Sequence, residues 1–156
     1  MTIRFATIAD TDGVLELLRQ VNNVHEANRP DIFIKDKTKY TALELAAIFA
    51  DETRPVFVAT DEKNAVLGYA FCVFEPHGKN NLHDFLTLYI DDVCVDEAAR
   101  GKGVGTALFE HVRAFAKEHG VYNLTLNVWD KNDAAQAFYE KCGFHIQKTG
   151  MELFIG

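Results

Sequence analysis

The stretch DEAARGKGVGTALFEHV, Asp96 to Val112, decides how the rest of the chain is read. Arg100, Lys102 and the alternating glycines Gly101, Gly103 and Gly105 stand where an apolar strand, ending Val93-Cys94-Val95, hands over to a helix. The first N–H groups of a helix lack intrahelical partners and carry the positive end of its dipole. Glycines there let an anion approach the backbone closely and permit unusual backbone angles. The pattern suits a phosphate or pyrophosphate; a tight strand-to-helix turn with incidental basic residues shares the same letters.

Outward from this turn, period and punctuation divide the chain. TIRFAT (Thr2–Thr7) alternates as a strand, Asp10-Thr11 starts a helix, and Val14, Leu17, Leu18, Val21 and Val24 mark its buried face until it fades near His25. EANRPDIFIKDKTK reads as a loop. TALE (Thr41–Glu44) fits a capping box opening a second helix with Leu45, Ile48 and Phe49 inward. PVFVAT, a DEKN turn and AVLGYAFCVFE read as a hairpin, and DFLTLYIDDVCV (Asp84–Val95) as a long third strand. After the glycine turn, a helix with Val104, Ala107, Leu108, Val112 and Phe115 inward ends at Gly120. VYNLTLNVW (Val121–Trp129) is a strand, Asn132 caps a helix closed by Gly143, and FHIQKT and MELFI finish as two short strands around Gly150. The order is β-α-α-β-β-β-α-β-α-β-β, a single mixed α/β domain over residues 1–156. The strand–helix–strand unit from Tyr89 to Val128 implies one parallel pair in an otherwise antiparallel sheet.

Composition narrows the function classes. A formal charge of −7 disfavours nucleic acid as a partner, because phosphate backbones call for a basic face. It is compatible with a cationic or amine substrate. The longest apolar run, Ala65 to Phe74, is too short to span a bilayer, and the start shows no apolar signal-peptide region; a cytoplasmic protein without membrane partners is expected. Cys72, Cys94 and Cys142 are too few and scattered for a disulfide framework and read as reduced core cysteines. The six histidines form no HExxH and no zinc spacing with cysteine, so no metal is indicated.

Three phosphate-binding patterns compete at the glycine turn. A P-loop needs GxxxxGK followed by Ser or Thr, which is missing. A dinucleotide fingerprint needs GxGxxG/A, and Thr106 or Leu108 stands where its third small residue belongs. What remains is R-x-x-G-x-G, Arg100 to Gly105. There the sequence resembles the GNAT superfamily of acyl-CoA-dependent N-acetyltransferases, whose acyl-CoA motif is Q/R-x-x-G-x-G/A at a helix N-terminus. A second signature, N-x-x-A-x-x-F/Y-Y-x-x-x-G-F, stands as Asn132 to Phe144, with Ala135, Phe138, Tyr139, Gly143 and Phe144 in register. The separation of the motifs and the strand order agree, so the resemblance covers nearly the whole chain.

The resemblance implies a GNAT fold: a mostly antiparallel mixed sheet, a central parallel strand pair splayed around the cofactor, and about four flanking helices. It implies acetyl-CoA as cosubstrate, with its pyrophosphate on the N–H groups of Lys102, Gly103, Val104, Gly105 and Thr106. Arg100, Gly101 and Lys102 lie beside it. The pantetheine arm would pair with main chain around Val93 and Val95, and an N–H near Val93 or Cys94 would meet the oxyanion. Asn132 matches a cofactor-touching residue, though it equally reads as a plain N-cap. Tyr139 matches the general-acid tyrosine that protonates the departing thiolate; a packing role also fits. The implied reaction is direct attack by a primary amine of a small molecule or peptide N-terminus, with no covalent nucleophile. A non-catalytic acyl-CoA-binding module on the same fold is the alternative.

The base is the open position. Relatives often carry a carboxylate on the strand before the glycine turn; here the acids are Asp91 and Asp92, either of which also reads as a surface charge. Alternation puts Asp91 on the face of Val93 and Val95, and a bulge of the kind common in the family would reverse this. For the acceptor, the first two helices, their loop and the hairpin should form the pocket, with His25, Glu26, Arg29 and Phe33 as candidate contacts. MELFI, if it lies at a sheet edge, could pair with a second copy as a homodimer.

Overall fold

The computed structural model describes all 156 residues. Five strands form one sheet in the order β1 (Thr2–Phe5), β2 (Val56–Thr60), β3 (Val66–His77), β4 (Phe85–Val95) and β5 (Asn123–Thr125). All neighbours are antiparallel except β4 and β5, which run parallel. The helices are α1 (Thr11–Asn28), α2 (Ala42–Phe49), α3 (Val104–Glu118) and α4 (Asp133–Lys141).

Two cores sandwich the sheet, and strand periodicity assigns them. Val56 and Val58 of β2 pack with Tyr69 and Phe71 of β3 against α1 and α2. Phe57 and Ala59 pack with Ala70 and Cys72 against α3. This is the period-2 alternation of a sheet covered on both faces. At Gly68, β3 lies tight against α3. A Cβ there would sit 2.9 Å from the Cys94 carbonyl oxygen, 3.0 Å from Leu108 and 3.1 Å from Val104. Gly68→Ala is expected to destabilise the fold by about 1–3 kcal/mol through overpacking. Urea denaturation measures it as a lower midpoint at constant slope; an unchanged midpoint would mean that α3 yields without cost.

Local signals are met where they are self-contained. The Thr41 side chain accepts from the Glu44 N–H at 3.2 Å while Glu44 accepts from the Thr41 N–H at 3.1 Å, the expected capping box. Asp61 accepts from the N–H groups of Lys63 and Ala65 in the hairpin turn. Asp10 closes the entry to α1 by accepting from the Thr7 N–H at 2.8 Å and from Arg4 at 2.8 and 2.9 Å.

Four expectations are corrected. α1 continues through Asn28, so His25 and Glu26 lie on a helix rather than in a loop. The strand expected over Val121–Trp129 pairs only from Asn123 to Thr125. FHIQKT and MELFI form no strands. The parallel pair is therefore at the edge of the sheet, not at its centre, because nothing pairs beyond β5.

Candidate active site

β4 loses its parallel neighbour part-way along its length. The parallel ladder ends at Tyr89 opposite Thr125, so β4 from Ile90 to Val95 has no strand on its β5 side. β4 bulges at the same place: Phe71 pairs with Asp92 but Cys72 pairs with Ile90, leaving Asp91 as the extra residue. A bulge changes side-chain parity. Leu88 and Ile90 before it, and Val93 and Val95 after it, share the α3 face. Both aspartates reach side chains of the opposite face, so Asp91 does not share the side of Val93 and Val95 as simple alternation has it.

The two carboxylates are differently occupied. Lys39 donates to both oxygens of Asp91 at 2.9 Å, and the Tyr40 hydroxyl donates to Oδ2 at 2.9 Å. Arg54 in turn donates to the Tyr40 oxygen at 3.2 Å. Burial is the largest single influence on the Lys39 ammonium and lowers it, but the hydrogen bond to Asp91 and the nearby negative charges together outweigh it and the net shift is upward. Asp91 is thus neutralised and ties the α1–α2 loop to β4. Asp92 has a single side-chain hydrogen-bond partner, the buried Tyr69 hydroxyl, which donates at 2.6 Å. Burial pushes its carboxyl up to about 6, against the lowering pull of that hydrogen bond. A half-buried carboxylate with a value near working pH is a candidate proton acceptor.

The glycine turn sits beside the open edge of β4. Gly101 and Gly103 adopt φ of 77° and 80°, and Gly103 is the left-handed N-cap of α3. Neither has any atom within 4 Å of where a Cβ would stand, so backbone angle, not crowding by the protein, favours glycine here. The N–H groups from Gly103 to Thr106 donate to no carbonyl of the protein. A Cβ on Gly105 would lie 3.5 Å from the Phe138 ring and 3.6 Å from Val95, which places α4 and the end of β4 against the first turn of α3. Arg100 donates to the Val95 carbonyl at 3.4 Å, and Lys102 is exposed.

α4 carries Tyr139 to this junction. Its cap is Asn132, whose side chain accepts from the Ala135 N–H at 3.3 Å. Tyr139 packs edge-on against Phe138 and Phe144, with centroids 5.3 and 5.6 Å apart, and Phe144 leans on Phe109 of α3. Its hydroxyl makes no hydrogen bond within the protein. Burial raises the phenol above its usual value, and the next largest cause is the charge of Asp92. The Cys94 thiol points the other way, toward the Leu17 carbonyl at 3.5 Å; burial pushes it and the Cys72 thiol up to about 12. Neither thiol is a nucleophile at neutral pH.

On the acceptor side, His25 packs at a tilt against Phe33 at 5.1 Å, and Phe33 meets Trp129 edge-on at 5.5 Å. Burial lowers the His25 pKa, followed by the charge of Lys39, and its Nδ1 has no partner. Asn22 donates to the Ile34 carbonyl at 2.7 Å and Asn23 to Asp36 at 2.8 Å, pinning the loop along α1. Arg29 is held by Asp31 and Glu152, and the Glu26 side chain makes no hydrogen bond. Sequence reading missed Lys39, Tyr40, Tyr69 and Trp129. Only Trp129 carried a local signal, as the last residue of its expected strand.

Residues 20–144 match the model of the acetyltransferase (GNAT) family. The chain belongs to that family. YwnH of Bacillus subtilis, which carries the name of a phosphinothricin acetyltransferase, is 26% identical over 92% of this chain and 83% of its own length. The peptidyl-lysine N-acetyltransferase YjaB of Escherichia coli is 27% identical over 82% of this chain and 70% of its own. A crystal structure of a point variant of the BH1408 protein from Bacillus halodurans is 35% identical, covers 99% of both chains and superposes with a TM-score of 0.94.

Proposed function

We propose that this chain moves an acetyl group from acetyl-CoA to a primary amine, on a small molecule or a peptide N-terminus. The observation that carries this reading is the row of unengaged N–H groups from Gly103 to Thr106, set beside the unpaired edge of β4. A pyrophosphate fits the first and an extended, hydrogen-bonding arm fits the second. Arg100 and Lys102 supply local positive charge in an acidic chain.

In this reading Asp92 takes the proton from the ammonium, and the amine nitrogen then attacks the thioester carbonyl carbon. A β4 N–H near Val93 or Cys94 holds the oxyanion. As the carbon–sulfur bond breaks, Tyr139 gives its proton to the leaving thiolate. Asp91 acts as an anchor through Lys39 and Tyr40. His25, Phe33 and Trp129 form one wall for the acceptor, and the names of YwnH and YjaB support an amine acceptor without selecting one. Three cysteines without a disulfide suit a reducing compartment, which supports the cytoplasm; no helix is long and apolar enough to cross a membrane.

Calorimetric titration with acetyl-CoA, with ATP and NAD as controls, tests the reading. Saturable binding of acetyl-CoA alone is expected. Gly103→Val, which forces a β-branched residue into the left-handed region, should weaken that binding at least tenfold while ATP and NAD still fail to bind. No acetyl-CoA binding to the unmodified protein would overturn the proposal.

A further inference from the structure

The loop between α1 and α2 carries one amine to the bulge of β4. Lys39 is the one lysine of the chain in an ion pair, and its Nζ donates to both Asp91 oxygens at 2.9 Å. Its side chain is 48% exposed and that of Asp91 16%, so an accessible stem delivers the ammonium to a largely buried carboxylate. Asp92, the proposed base, is the next residue of the strand. The Lys39 charge is felt on both sides of this place. After burial, it is the remaining cause that lowers His25. At Asp92 it lowers the carboxyl, behind the larger effects of burial and the Tyr69 hydrogen bond. The ammonium thus stands near both the acceptor wall and the base, where an acceptor amine has to stand.

A primary amine held there is itself a substrate. We propose that, with acetyl-CoA bound and no other amine present, the chain acetylates its own Lys39. This rests on the transferase reading given above and names one acceptor of the same site. Lys39 Nζ gives one proton to Asp92, which pairs with no basic side chain, and attacks the thioester carbonyl carbon. The new bond is Nζ–C and the broken one is C–S. Tyr139 protonates the thiolate, and the second proton lost from Nζ as the amide forms makes good the one Tyr139 gave. Lys35 and Lys37 lie on the same loop and are exposed, but neither pairs with an acid. Acetylation turns the Lys39 cation into a neutral amide. Asp91 then keeps the Tyr40 hydroxyl as a donor but loses its counter-charge and both bonds from Nζ. A chain that holds acetyl-CoA without an acceptor therefore unties its own α1–α2 loop from β4.

Full-length protein is incubated with acetyl-CoA and no added amine, and each lysine is followed by peptide mass spectrometry. Lys39 is expected to gain an acetyl group about 10²-fold faster than Lys35 and Lys37, because it is already positioned. Its rate constant should not depend on protein concentration. Lys35 and Lys37 measure the uncatalysed reaction on the same loop, and Asp92→Asn should bring Lys39 down to their rate. If acetyl-CoA binds in the calorimeter but Lys39 reacts no faster than those two, self-acetylation is overturned and the transferase reading stands. A rate constant that rises with protein concentration also overturns it, since transfer then runs between copies. Lys39 acetylation undiminished in Asp92→Asn overturns the route through that carboxylate. Absence of acetyl-CoA binding brings down both readings. The comparison of lysines in the unmodified chain keeps the test decisive if the variant does not fold.

Discussion

Replacing Tyr139 with phenylalanine is expected to lower turnover by about 10²–10⁴-fold while acetyl-CoA binding and thermal stability stay close to those of the unmodified protein. The substitution removes only the hydroxyl, and the ring contacts to Phe138 and Phe144 remain. No protein group loses a hydrogen bond, because the phenol makes none. A purely packing tyrosine would tolerate the change, so steady-state kinetics separates the two roles directly. Burial and the Asp92 charge raise the phenol's pKa, which keeps its proton available for a thiolate throughout the neutral range. Unchanged kcat in the variant would remove Tyr139 from the chemistry. Absence of turnover in both forms, with acetyl-CoA bound, would instead fit a non-catalytic acyl-CoA-binding module.

Asp92→Asn carries the second large effect, with rate and stability moving in opposite directions. Turnover should fall by about 10²–10³-fold, since an amide accepts no proton at neutral pH. The unmodified enzyme should lose kcat/KM as pH falls through about 6, where the Asp92 carboxyl protonates. The stability sign runs the other way. A carboxyl whose folded pKa is raised above its ordinary value binds more protons in the folded state between about 4 and 6. Stability therefore declines as pH rises through that window, and an ionised Asp92 is a burden at pH 7. The Asn variant keeps an acceptor for Tyr69 and should be more stable at pH 7 by about 1–3 kcal/mol. Tyr69→Phe removes the hydrogen bond that lowers the Asp92 pKa and should move the acid limb of the rate profile to higher pH. Asp91→Asn removes a minor raising charge beside Asp92, so it should move that limb slightly to lower pH and act mainly by loosening the loop held through Lys39 and Tyr40. A pH–rate profile that is the same for Asp92→Asn and the unmodified chain would exclude Asp92 as the base.

These effects reach back to different levels of the chain. Nearest-neighbour chemistry determined the Thr41–Glu44 capping box, the Asn132 cap, the hairpin turn at Asp61 and the left-handed glycines 101 and 103. Each involves groups within a few residues, so letters and spacing suffice. The alternation in β2 likewise assigned Val56 and Val58 to one core and Phe57 and Ala59 to the other, since a strand's faces follow from its period alone. The tertiary structure decided which aspartate is free. A one-residue bulge overrides alternation, and Lys39 and Tyr69 meet Asp91 and Asp92 across 52 and 23 residues of chain. It also decided the fate of the C-terminus. Period 2 made FHIQKT and MELFI strand-like, but a strand needs a partner to form, and pairing depends on where Gly143 and Arg29 send the tail. Sequence determined what each segment can become; the long-range contacts determined which carboxylate is left to work and which edge is left open.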